Sequence, residues 1–168
     1  LKDSGSRILI AQETFQDKVN ALADLDSGIE KVIWTQRSSG GIEKPGHLEY
    51  ETLLSSQKGN APPESSIKDE DVAHLYYTSG TTGRPKGVML THKNVKSHAL
   101  GTIAELHLTD RDHWFHVAPL FHLADAWATF ALTWVGGKHV ILPTFDPLKV
   151  LRLIEEEKIT LSNLIPTM

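Results

Sequence analysis

The 168-residue sequence contains no cysteine. That excludes a disulfide framework and a thiol nucleophile, so any thioester chemistry must use a thiol brought by a partner. A cytoplasmic, reducing setting fits the same absence. Excess positive charge is also missing. With 17 Lys and Arg against 21 Asp and Glu, the net charge is −4. No basic stripe is available to neutralise phosphates along a duplex, so nucleic acid is not an expected partner. The chain opens on Leu1 with no basic, apolar, small-residue leader pattern. No apolar run reaches the roughly 20 residues that span a bilayer. The longest, Phe121 to Val135, contains His122 and Asp125 and reads as a buried helix. Internal repeats are absent as well. What is present is ordinary globular composition, 40% hydrophobic and 23% charged, which argues against disorder and suffices for a hydrophobic core. Both ends read as cut: there is no initiating methionine, and Leu164 to Met168 stops at the exit of a strand. The chain is therefore expected to be a fragment.

Strand and helix patterns alternate throughout, which predicts an α/β fold with mainly parallel sheets. Arg7–Ile10 reads as a strand, followed by a helix with Phe15, Val19 and Leu22 on one face. Lys31–Thr35 is the next strand, Arg37–Pro45 a loop, and Leu48–Ser55 a short helix. Gln57–Ser66, with Gly59, Asn60, Pro62 and Pro63, has the composition of a linker. Strand Val72–Thr78 runs into a glycine-rich loop, and Gly87–Leu90 is extended again. A helix follows with Asn94 as N-cap and Val95, Ala99, Ile103 and Leu106 on one face. Leu108–Asp112 is a turn, His113–Ala118 a strand, and Phe121–Val135 a helix stopped by Gly136-Gly137. Lys138–Leu142 is a strand, Pro147–Lys158 an amphipathic helix with proline in its first turn, and Ile159–Ile165 a final strand.

The most informative run is Tyr77-Thr78-Ser79-Gly80-Thr81-Thr82-Gly83-Arg84-Pro85-Lys86-Gly87-Val88. Gly80, Gly83 and Gly87 permit positive φ and close backbone approach to a ligand. Thr78, Ser79, Thr81 and Thr82 add hydroxyl donors to the loop amides, a concave array suited to an anion. Lys86, with Arg84 nearby, adds charge suited to phosphate. A Walker loop is excluded, because Gly87 follows the lysine and the next residues are strand-like rather than helical. The competing reading is a flexible surface turn. Four hydroxyls, three glycines and a lysine directly after an apolar strand weigh against it.

This run closely resembles the signature of the adenylate-forming superfamily, which includes acyl-CoA synthetases, firefly luciferases and peptide-synthetase adenylation domains. Ala118-Pro119-Leu120-Phe121-His122 is similar to a second family motif at the usual distance. Leu164 to Met168 resembles a third. The resemblance covers about Asp71 to the C-terminus. It implies ATP, Mg2+ and a carboxylic acid as ligands, with attack on the α-phosphorus to give an acyl-adenylate. It further implies coenzyme A as the thiol that releases AMP. Carried over, Thr78, Ser79, Gly80, Thr81, Thr82, Gly83 and Lys86 match the phosphate-binding element, with Thr81 and Lys86 catalytic. His122 matches the position beside the reacting carboxylate. A base role there is unattractive, since the acid is already ionised at neutral pH; a steric and hydrogen-bonding role fits better. Taken alone, His122 reads more readily as a helix-start histidine satisfied by a core partner, and the motif context reverses that preference.

The resemblance implies part of a large N-terminal domain. Residues 1–107 would belong to one αβ lobe and 108–168 would begin a second. The adenine platform, the magnesium-binding glutamate and the C-terminal domain with its catalytic lysine are not in the chain. The expected whole enzyme is an acid–thiol ligase, with a fatty acid as the leading substrate. An aryl-acid–CoA ligase, a peptide-synthetase adenylation domain, and a non-catalytic phosphate-binding or interaction module are the alternatives. The isolated fragment is expected to be inactive and prone to self-association. Trp127 and Trp134, seven apart, could wall an acyl tunnel, although core packing is the commoner use of such a pair. His113 and His116, three apart on a strand, point to opposite faces, so no metal site is assigned. Glu155-Glu156-Glu157 reads as a solvated helix face.

Overall fold

Two short apolar runs near the start form strands β1 (Ile8–Gln12) and β2 (Lys31–Thr35) in the computed structural model. A 3-10 turn, Glu13–Phe15, and helix α1 (Gln16–Ala21) join them. The structure describes residues 1–22, 25–35, 45–80, 83–166 and 168. A third strand, β3 (His47–Glu49), pairs with β2, and the order β1-β2-β3 is parallel throughout. Side chains alternate along a strand, and the register sets Leu9 opposite Val32 and Ala11 opposite Trp34. That face buries Val32 and Trp34 against Val19 of α1. The Trp34 indole nitrogen donates to His47 Nδ1 at 3.0 Å.

The expected Phe15–Val19–Leu22 face is only partly realised. Phe15 lies in the 3-10 turn, off the helical period, and stays exposed. The expected helix from Leu48 starts two residues later. Leu48 and Glu49 are taken up in pairing with β2, and α2 (Tyr50–Ser56) follows. Glu49 caps it by accepting from the Thr52 amide at 2.6 Å. That bond, above all, holds the Glu49 carboxyl below the usual carboxylate range. The loop expected at Arg37–Pro45 lies, except for Pro45, outside the described residues.

The chain divides into two compact units, Leu1–Ser65 and Ser66–Met168. The division falls within the proline- and glycine-rich stretch at 57–66. The second unit starts with β4 (Val72–Thr78) and β5 (Lys86–Thr91), an antiparallel hairpin within an otherwise parallel fold. Helix α3 (His92–Leu106) follows directly. Its N-cap is Thr91, not Asn94. The Thr91 hydroxyl accepts from the Asn94 amide at 3.2 Å, and Asn94 Oδ1 accepts from the Thr91 amide at 3.0 Å. This reciprocal box satisfies two donors at once, which a cap at Asn94 alone would not.

Strand β6 (His113–His116), helix α4 (Leu123–Val135), strand β7 (Lys138–Ile141), helix α5 (Pro147–Glu156) and strand β8 (Leu161–Ser162) complete the unit. The last three strands form a parallel sheet in the order β7-β6-β8. The expected final strand, Ile159–Ile165, is reduced to this two-residue pairing. Alternation along β6 divides the core. Trp114 packs on Ala128 and Leu132 of α4, while Phe115 and Val117 pack with Val150 of α5. Helix α5 starts as expected, with Pro147 at its first position and Asp146 accepting from the Lys149 amide at 3.0 Å. Helix α4 ends at Gly136 in the left-handed conformation. Its small Ala128 and Ala131 are fully buried. Ala131 meets Ala99 of α3, which lets the two helices approach closely.

Candidate functional site

The phosphate-loop candidate is the connection of the β4–β5 hairpin. Thr78 pairs with Lys86 and Tyr77 with Gly87, so the ladder delivers both ends of the loop to one place. Thr78, Ser79, Gly83, Arg84 and Lys86 are exposed there. Gly80 has φ of +65°, and a Cβ at that position would collide with the Arg84 carbonyl oxygen. Gly87 is extended but lies under the Tyr77 ring, where a Cβ would sit 3.1 Å from Cζ. Gly80 is thus demanded by how tightly the loop folds on its own backbone, whereas at Gly87 a Cβ would press on the Tyr77 side chain. Thr81 and Thr82, two of the matched hydroxyl residues, lie outside the described residues.

The hairpin is held from both ends. In β4, His74 meets Phe130 of α4 edge-on at 5.0 Å and stacks on Tyr76. After β5, the first-turn amides of α3 at His92 and Lys93 donate to the carbonyls of Asp71 and Asp69 at 3.0 and 2.8 Å. Lys96 pairs with Asp69 at 2.9 Å. That pair is half-exposed and contributes at most about 1 kcal/mol.

His122 is the extended N-cap of α4 (φ −95°, ψ 132°), and its exposed ring makes no cap bond. It lies against Phe121, with ring centroids 4.5 Å apart. The His122 amide donates to the Pro119 carbonyl at 3.0 Å, while its own carbonyl accepts from the Asp125 and Ala126 amides at 3.3 Å. Phe121, expected inside the helix, precedes it and is 76% exposed. Loop and histidine therefore sit on different elements of the same unit, linked through packing of β4 and α3 on α4.

Trp127 and Trp134 do not form one wall. Trp127 packs edge-on against Trp114 at 5.4 Å and His98 at 5.5 Å. Trp134 is 55% exposed. Trp127 instead borders an apolar cleft of about 290 Å³, together with His74, Tyr76, Leu90, His98 and Phe130. His113 and His116 diverge as expected. His113 Nδ1 bonds the Glu157 carbonyl at 2.6 Å, whereas His116 enters the α4 side of the sheet. Among the described residues, no group of three His, Cys, Asp or Glu side chains could hold a metal ion.

Sequence reasoning missed a buried polar relay. Asp125 and His116 are both essentially inaccessible. Asp125 Oδ1 accepts from the Trp114 indole at 3.1 Å, and Oδ2 faces His116 Nδ1 at 2.9 Å. His116 Nε2 lies 2.9 Å from His139 Nδ1, and His139 Nε2 lies 3.0 Å from the Thr133 hydroxyl. Burial, and then the neighbouring His116, push the His139 ring below its ordinary value of 6.5. When both rings are neutral the bonds run one way, with Thr133 donating to His139, His139 to His116, and His116 to Asp125; a charged His116 would instead donate from both nitrogens, and His139 would donate to Thr133. The only sequence signal was an aspartate in the first turn of a largely apolar helix.

The profile of the AMP-binding enzyme family matches residues 1–168. The chain belongs to the AMP-binding enzyme family. It is similar to a feruloyl-CoA synthase of Amycolatopsis sp, 42% identical over 64% of this chain and 22% of that protein. It is also similar to 4-coumarate–CoA ligase 2 of Solanum tuberosum, 33% identical over 98% of this chain and 30% of that protein. Among solved structures, ATP-bound MatB from Rhodopseudomonas palustris superposes with a TM-score of 0.69. That match is 26% identical and covers 92% of this chain and 29% of that one. The chain thus spans about a quarter of the length of the curated relatives it matches. The adenylate-forming resemblance and the alternating, mainly parallel α/β fold read from sequence both hold. Among the described residues, no helix is long and apolar enough to cross a membrane.

Proposed function

We propose that the intact protein activates a carboxylic acid with ATP and passes the acyl group to coenzyme A. The carboxylate oxygen attacks the α-phosphorus, the bond to the pyrophosphate oxygen breaks, and pyrophosphate leaves. The coenzyme A thiol then attacks the acyl carbon, and AMP departs with the electron pair of the acyl–oxygen bond. The observation that carries this reading is the loop between Thr78 and Lys86, closed tightly enough that Gly80 cannot be replaced without a clash. In this reading Thr78, Ser79, Gly80, Thr81, Thr82, Gly83 and Lys86 hold the β and γ phosphates. Preorganised donors there offset the charge that develops on the leaving pyrophosphate and align the α-phosphorus for in-line attack. Magnesium would accompany the nucleotide and neutralise part of its charge. This chain's own contribution is loop hydroxyls, amides and Lys86 on phosphate oxygens.

His122, exposed at the start of α4, serves as the acid-side residue by shape and hydrogen bonding. The acid itself has an apolar tail, for which the cleft beside Trp127 and Phe130 is suitable wall material. A fatty acid fits that apolar character. An aryl acid is the second reading, favoured by relatives named for feruloyl and 4-coumarate substrates. The absence of cysteine is consistent with work in the cytoplasm and with a thiol supplied by coenzyme A. Acid-dependent exchange of labelled pyrophosphate into ATP, run on the full-length enzyme with fatty and aryl acids, tests both readings. Exchange with neither class would sink them.

A further inference from the structure

The carboxylate of Asp125 has no part in the chemistry above, yet it is completely buried and both its oxygens are engaged. Its backbone amide donates to the carbonyl of His122, three residues earlier. We infer that Asp125 is a positioning residue for the acid half-reaction: its amide holds the His122 carbonyl while its carboxylate ties that helical turn to Trp114 and His116 of β6. This inference rests on the reading that His122 faces the acid.

The geometry leaves the turn little freedom. The Ala124 carbonyl, within the same turn, accepts from the Trp127 indole at 2.7 Å and from the Asn163 side chain after β8. His116, in turn, is braced by His139 of β7 and through it by Thr133 near the far end of α4. The first turn of α4 is therefore tied directly to β6 and to the segment that follows β8, and through His116 to β7, by polar contacts. Apolar packing alone is non-directional and would fix distance without fixing rotation. A hydrogen-bonded carboxylate fixes both. Rotation matters, because a displacement of about 1 Å in a positioning group can cost on the order of a hundredfold in rate. The phosphate loop hangs from the hairpin, which meets α4 at Phe130 rather than at its first turn, so the nucleotide side should sense the change far less than the acid side.

Asp125→Asn and Asp125→Leu separate the tie from the space it fills. With Asn, the amide oxygen still accepts from Trp114, and the amide nitrogen donates to His116 Nδ1. His116 must then carry its proton on Nε2, donating to His139. The tie survives on the inverted tautomer. With Leu, similar volume remains but both bonds are lost. The test uses full-length enzyme, pyrophosphate exchange, and imidazole nitrogen NMR of His116. Asp125→Leu should raise KM for the acid at least tenfold and leave KM for ATP within about twofold. Asp125→Asn should recover acid KM to within about threefold of wild type and show His116 Nδ1 unprotonated. Trp114→Phe removes one donor and should raise acid KM about threefold, keeping the inference testable if the Leu variant does not fold. Equal changes for acid and ATP, or no acid effect in Trp114→Phe and a folded Leu variant, would overturn the inference alone. If His122→Ala also leaves acid KM unmoved, the reading of His122 falls with it.

Discussion

Replacing Gly80 and Gly83 separately by alanine measures how far the loop's backbone geometry governs nucleotide handling. Both glycines have positive φ, +65° and +80°. An L-residue forced into that region costs roughly 1–2 kcal/mol, so each variant carries that conformational term. Only Gly80 carries a second term. A Cβ at Gly83 meets nothing within 4 Å, whereas one at Gly80 runs into the Arg84 carbonyl. Backbone cannot rotate away as a side-chain tip can, so Gly80→Ala must displace the segment leading to Lys86. If the loop grips phosphate through its amides, Gly83→Ala should lower the adenylation rate about tenfold, the equivalent of about 1.4 kcal/mol. Gly80→Ala should lower it about a hundredfold or more, because donors are lost as well as strained. Pyrophosphate exchange on the full-length enzyme reads the effect, and thermal unfolding shows whether the fold survives. Wild-type exchange in Gly80→Ala, or a greater loss in Gly83→Ala, would refute the reasoning.

His122→Ala should shift KM for the acid, or the order of preferred acids, more than KM for ATP. No bell-shaped dependence between about pH 5 and 8 should disappear with it, since a titrating base would reveal itself in that range. Ala131→Leu, in the fully buried seam against Ala99, should destabilise by about 1–3 kcal/mol through overpacking, measured by denaturant unfolding. His139 binds its proton less readily when folded than when unfolded. The unfolded state therefore takes up more protons as pH falls below about 6.5, and stability should decline there until the folded pKa is passed. His139→Gln should flatten that part of the stability–pH curve; an unchanged slope would show that another group produces it.

Legibility followed the range of the interactions involved. Strands β2 and β4 run between the residues read from the sequence, because each is dense in aliphatic, aromatic and β-branched residues that favour extended chain. The glycine- and hydroxyl-rich connection proposed to bind phosphate was equally visible as a loop between two strands, since all its parts lie within one short stretch of chain. The N-cap of α3 was misassigned because Thr91 and Asn94 are both good cappers, and only the reciprocal bonds decide between them. β3 went unseen because His47–Glu49 gains strand character solely from pairing with β2. The relay was out of reach for the same reason. His116 and His139 are 23 residues apart and meet because β7 lies parallel beside β6, setting His139 opposite Trp114 on the face that α4 covers. Trp127 and Trp134 share a helical face by spacing. Their fates differ because Trp114 and His98 cover only the first.

Loss of the Lys86 charge tests the central claim most directly. Lys86 is exposed at the first rung of β5, opposite Thr78, at the mouth of the loop. Acid-dependent pyrophosphate exchange should be compared between wild-type full-length enzyme and Lys86→Ala, with Thr81→Ala alongside. A charge-assisted bond to phosphate is worth about 1.5–3 kcal/mol. Exchange in each variant should therefore fall roughly ten- to a hundredfold, with stability unchanged. Undiminished exchange in both would contradict the assignment of this loop as the element that grips the nucleotide's phosphates.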